Sequence, residues 1–153
     1  MKQILDDYRE KGTYVSTAYY MGLLAELYGR QQRFDEALSL TDEALDDSYA
    51  EDRHAEPEIL RIRGELLEKR GQAEDEELAL QSYREALKVA DSLGAGGWAL
   101  KAAVSLSRLL TNNDGRVEAF DTLETVLAKF SPDDKGPDLD AAREFLRTIG
   151  TCE

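Results

Sequence analysis

Apolar and small residues recur along the chain with a helical spacing, and the spacing itself recurs. Three stretches share one pattern: Leu24-Ala25 and Tyr28, followed by Ala37, Thr41 and Ala44; Arg63-Gly64 and Leu67, followed by Ala79, Tyr83 and Ala86; Leu106-Ser107 and Leu110, followed by Ala119, Leu123 and Val126. In each, a small residue marks a first helix and an alanine marks a second, which predicts antiparallel helix pairs over 17–47, 57–91 and 98–130. The interval from the small residue to that alanine is 12, 15 and 12 residues, so the middle copy absorbs three extra residues beside the acidic run 74–77. Small side chains are what helix crossings require, because interaxial distances of about 8–10 Å leave no room for large ones.

Turn chemistry sits between the stripes. Gly29 to Arg33, Arg70 to Asp75 and Asn112-Asn113-Asp114-Gly115 read as tight polar turns, and Pro57 suits a first helical turn, where a missing N–H costs nothing. After Phe130 the run Ser131-Pro132-Asp133-Asp134-Lys135-Gly136-Pro137 breaks the helix. Leu139, Ala142, Phe145, Leu146 and Ile149 then predict an amphipathic helix over 138–149 that caps the last pair. Ile4, Leu5 and Tyr8, with Gly12 standing 13 residues before Ala25 as Gly94 stands 13 before Ser107, predict an orphan second helix over 3–11.

The pattern small-x-x-[Tyr/Leu], then Ala-x-x-x-[aromatic/Leu]-x-x-[Ala/Val], resembles the tetratricopeptide repeat, with Arg33-Phe34-Asp35-Glu36-Ala37 as a characteristic turn into the second helix. The period between second-helix alanines is 40 to 42 residues, longer than the roughly 34 usual for that repeat. The resemblance implies one all-α, right-handed solenoid of antiparallel helix pairs spanning residues 1–153 with a C-terminal capping helix. A narrower likeness rests on Leu24-Ala25-Glu26, on Glu58 to Leu67 and on Pro137 to Ala142. These runs look like the C-terminal repeat array of bacterial multidomain signalling proteins that carry an ATPase and an adenylate cyclase or DNA-binding output domain. That likeness implies a scaffolding or regulatory segment, with neither catalytic domain in these residues and no G-x-x-x-x-G-K-[S/T] phosphate loop in the sequence.

Composition narrows the partners. Among 153 residues, 32 Asp and Glu against 19 Lys and Arg give a net charge of −13, a field that repels phosphate backbones and anionic membranes. Protein or peptide partners are expected, and nucleic acid and membrane are not; a cytoplasmic setting is read from one cysteine, Cys152, and the lack of an apolar run approaching about 20 residues. No cofactor or metal is expected and the chain is not read as an enzyme. His54 stands alone in a charged linker with Glu51, Asp52 and Glu56, and Cys152 has no identifiable base. Gly94-Ala95-Gly96-Gly97 lies between predicted helices, without the preceding strand a phosphate loop needs.

The family resemblance places a binding groove on the first helices of the pairs. Counting from the small packing residues assigns Tyr19, Glu26 and Arg30, then Arg61, Glu65 and Lys69, then Lys101, Arg108 and Asn112 to that face. Five of these nine are Arg or Lys, so the expectation is a local basic stripe that accepts a peptide or partner helix with an acidic or C-terminal carboxylate segment. The competing account makes them solvated charges paired along their own helices, as Glu26–Arg30 and Arg61–Glu65 are spaced to be. A ligand-sensing module that binds a small peptide or metabolite and governs an attached output domain is the alternative function, and self-association through the N-terminal edge is a further expectation.

Overall fold

The structure is a computed structural model that describes residues 17–46 and 53–150. The expected orphan helix at 3–11, the self-association ascribed to it and Cys152 all lie outside the described residues. Seven helices follow one another, without a strand among the described residues: α1 (Thr17–Arg30), α2 (Phe34–Ala44), α3 (Glu56–Arg70), α4 (Asp75–Ser92), α5 (Gly96–Asn112), α6 (Arg116–Leu127) and α7 (Pro137–Gly150). The helix pairs thus fall where the apolar pattern puts them. Their turns are short: Gln32 at φ 61° and Asp114 at φ 60° take left-handed conformations, as does Gly71 at φ 67° closing α3. In the Asn-Asn-Asp-Gly turn it is therefore Asp114, not Gly115, that supplies the positive φ.

Each helix packs on the next, and α1 also packs on α3, α3 on α5 and α5 on α7, whereas contacts between α2 and α4 or α4 and α6 are marginal at most. The odd-numbered helices therefore form the closer layer, called inner below, and the even-numbered ones the splayed, outer layer. Close approach inside each pair depends on the small residues. Ala25, Ala37, Ala79, Ser107 and Ala119 are wholly buried, and Gly64 sits under the ring of Tyr83, where a Cβ would come within 2.5 Å of Cε1. One continuous core runs from Ala18 and Met21 at one end to Leu139, Ala142 and Ile149 at the other. The α7 helix closes that end, and Arg116 of α6 ties it down by donating to the carbonyls of Ile149 at 2.8 Å and Thr148 at 3.0 Å.

Candidate functional site

The inner layer carries a cleft of about 540 Å³ between α3, α5 and α7. Leu100, Val104, Ala141 and Phe145 give it an apolar floor, and Arg61, Lys101, Ser105, Arg108 and Asp138 supply polar atoms around it. The spacing of Leu100, Lys101, Val104, Ser105 and Arg108 explains why one face of α5 lines it, since these positions return at i, i+1, i+4, i+5 and i+8. The α7 helix, which opens at Pro137, contributes Asp138, Ala141 and Phe145, so the capping helix is also a wall of the cleft.

Only three of the nine residues assigned from the sequence line it: Arg61, Lys101 and Arg108. Asn112 lies in a separate recess with Leu67, Glu68, Gly71 and Gln72 at the turn end of α3 and α5. Lys69 is exposed and lines neither. On α1, Arg30 donates to Glu26 at 2.9 Å, so this pair follows the paired-charge account. Tyr19 is half-buried at the opposite end, its ring 6.0 Å from that of Tyr20 and 6.4 Å from that of Trp98, while the Lys101 ammonium stands 4.9 Å over the Trp98 ring.

Carboxylates that the nine-residue count left out stand beside the cations of this face. Glu58, itself buried, accepts two hydrogen bonds from Arg61, at 2.7 and 3.0 Å, and stands 3.8 Å from the Lys101 ammonium. Arg61 also donates to Glu65. Burial opposes the Arg61 charge, but the hydrogen bonds and attraction of Glu58, then of Glu65, prevail and hold its pKa above the ordinary arginine value. Glu68 accepts from the Tyr83 hydroxyl and lies 3.9 Å from Arg108. Burial, reinforced by Glu68, pushes the Tyr83 phenol above its ordinary pKa, so it remains a neutral donor. The three cleft cations are thus matched by Glu58, Glu65 and Glu68, with Asp138 added, and the face is charge-mixed rather than positive.

These contacts separate structural from available charge. Arg61 is 14% exposed and tied on both sides, a strut within α3. Lys101 and Arg108 are 43% and 53% exposed, and their carboxylate partners stand beyond the 2.7–2.9 Å of a charge-assisted hydrogen bond. They are separated by seven residues of one helix, or about 10.5 Å. Sequence reasoning missed Leu100, Val104, Ser105, Asp138, Ala141 and Phe145 as cleft residues; the helical spacing of Leu100, Val104 and Ser105 beside Lys101 was the signal for the three on α5.

Among the described residues no group of three or more His, Cys, Asp or Glu side chains is placed to hold a metal ion, and His54 is exposed. No helix among them is long and apolar enough to cross a membrane. No protein-family model matches the chain, and no curated protein matches it significantly.

Proposed function

We propose that the chain is a tetratricopeptide-like interaction module, a right-handed solenoid whose inner cleft receives a peptide or amphipathic helix of a partner protein. In this reading it is a scaffolding or regulatory segment of a bacterial signalling assembly, acting by binding and not by catalysis. The observation that carries the proposal is the cleft itself: an apolar floor of Leu100, Val104, Ala141 and Phe145 flanked by Lys101 and Arg108, whose donors are not engaged at hydrogen-bond distance by Glu58 and Glu68. A helix presents residues seven apart on one face at the same rise of about 10.5 Å, so two acidic residues at i and i+7 with an apolar residue between them match α5 in spacing and charge. Specificity in such a groove comes from the apolar anchor, and charge adds orientation and on-rate.

The test is selection of peptides from a displayed library on the wild-type chain with counter-selection on Val104→Glu, followed by titration of the selected peptides. Peptides that carry the acidic pair, and that weaken both on Lys101→Glu/Arg108→Glu and at high salt, support the reading. Selected peptides that bind all three proteins equally at every salt concentration place the contact elsewhere. Arg61 is left intact in this design because reversing it would strand Glu58 and Glu65.

A second reading, a sensor of a small peptide or metabolite, draws on the cleft volume of about 540 Å³, inside the roughly 300–1,000 Å³ range of small-molecule sites. It is distinguished by a thermal shift with individual small ligands that Val104→Glu abolishes.

A further inference from the structure

Ser105 carries a buried hydroxyl with nothing to bond to. It stands midway along α5, 4% exposed, and lines the cleft, yet its side chain has no hydrogen-bond partner among the described residues. The other buried hydroxyls of those residues are satisfied. Thr41, Ser82 and Ser107 each donate to a backbone carbonyl, at 2.7, 2.9 and 3.0 Å, and Tyr83 donates to Glu68. Ser105 does not even turn back to the carbonyl four residues before it, as Ser82 and Thr111 do to theirs. A desolvated hydroxyl without a partner destabilises a fold, and native chains keep few of them.

Its neighbours on α5 indicate what would satisfy it. At about 100° per residue, Ser105 lies about 40° round the helix from Lys101 and about 60° from Arg108, so the three share one face. Along the axis it stands about 6 Å beyond Lys101 and about 4.5 Å before Arg108. The flanking charges on its own helix are therefore two cations, and their carboxylate partners Glu58 and Glu68 stand 3.8 and 3.9 Å away, leaving donors to spare. A ligand ammonium or guanidinium brought to Ser105 would be repelled from both sides. An oxygen acceptor would meet three donors in a row.

We propose that Ser105 is the point at which the cleft reads its ligand: the partner helix sets an oxygen acceptor, from Asn, Gln, Asp or Glu, against this hydroxyl, between its two acidic residues. The proposal rests on the reading of the cleft as a groove for a partner helix and adds what that helix carries at its centre. The acceptor falls at i+4 if the helix runs parallel to α5 and at i+3 if it runs antiparallel, and the other of those positions sits on Val104. An apolar side chain in the acceptor's place would leave the hydroxyl desolvated and unbonded, which is the stronger source of discrimination.

Melting gives a first readout without any ligand. Ser105→Ala removes a hydroxyl that has no bond to lose, so it is expected to melt at or above the wild-type temperature, whereas Ser107→Ala melts below it. A Ser105→Ala chain that melts below wild type overturns the proposal, because the hydroxyl then serves the fold. The second readout is a displayed library of helical peptides with Glu fixed at i and i+7 and every residue allowed at i+3 and i+4, selected in parallel on the wild-type, Ser105→Ala and Val104→Glu chains. The wild type should enrich an acceptor at one of the two positions and an apolar residue at the other, and Ser105→Ala should enrich apolar residues at both. A peptide selected on the wild type should bind Ser105→Ala about tenfold more weakly in solution. The same central residues on wild type and Ser105→Ala overturn the role given to Ser105 and leave the cleft reading standing. Peptides that enrich equally on Val104→Glu overturn the cleft reading, and this proposal with it.

Discussion

Gly29→Ala and Gly64→Ala should rank opposite to their contact distances. An added Cβ at Gly29 would lie 2.3 Å from Leu66 Cδ2, closer than the 2.5 Å to Tyr83 Cε1 at Gly64. At Gly29, however, the intruded atom is the far end of a flexible side chain, with the next Leu66 atom at 3.8 Å, and one rotamer adjustment relieves it. At Gly64 three atoms of one rigid ring stand at 2.5, 2.8 and 2.8 Å. That ring is wholly buried and its hydroxyl is tethered to Glu68, so moving it opens the core and lengthens a charged hydrogen bond. Overpacking costs about 1–3 kcal/mol and weakening the bond adds up to about 1.5–3 kcal/mol, against a gain of about 1 kcal/mol for replacing glycine inside a helix. The net for Gly64→Ala is a loss of roughly 1.5–5 kcal/mol, and for Gly29→Ala a change within about 1 kcal/mol of zero. Urea denaturation followed at 222 nm measures both, and melting should fall by about 2–4 °C for each kcal/mol. Pairing Gly64→Ala with Tyr83→Leu should give a double variant less destabilised than the sum of the singles. If Gly64→Ala is as stable as the wild type, or Gly29→Ala is the worse of the two, the ring is not the rigid element of this interface and the reasoning fails.

Two further outcomes follow from single contacts. The Asp75 carboxylate accepts from Arg70 at 2.7 and 2.9 Å and from the Gln72 N–H at 2.9 Å, and these bonds, Arg70 foremost, hold its pKa below the ordinary carboxylate value against the opposing effect of burial. A depressed pKa contributes stability that is complete above the unfolded value of about 3.9 and lost as pH falls through the folded value; Asp75→Asn should therefore be less stable at neutral pH yet show a shallower acid limb in pH-dependent urea titrations. Ser107 donates to the Ala119 carbonyl at 3.0 Å in a fully buried crossing, so Ser107→Ala should cost about 0.5–1.5 kcal/mol by the same denaturation assay.

The helix pairs were legible because Ala25, Gly64 and Ser107, and Ala37, Ala79 and Ala119, are fixed by sterics that act at one point of each crossing. Such a constraint leaves its mark on a single residue, and all six are buried. The cleft was less legible because its walls belong to elements 30 to 80 residues apart, and Phe145 was read only as part of a cap. Charge was misread for a different reason. Counting the cations on one face while omitting Glu58 and Glu68 made a stripe look basic, whereas a buried guanidinium such as Arg61 requires carboxylates around it. The i, i+3 spacing of Glu58 to Arg61 was visible, but it could not reveal that Glu58 also faces Lys101 across helices. Tyr19 had no local signal at all, since its neighbour Trp98 lies on α5.

The unequal layers give the stack two unlike edges. Its inner helices form a spine whose cohesion is apolar, while the outer helices α4 and α6 are bridged by the ion pair of Arg84 and Glu118, with side chains 44% and 51% exposed. An exposed pair of that kind contributes about 0.2–1 kcal/mol and weakens as salt screens it. The two edges of the stack therefore answer differently to the solvent: added salt loosens the contact that joins α4 to α6 and leaves the apolar packing of the inner helices in place.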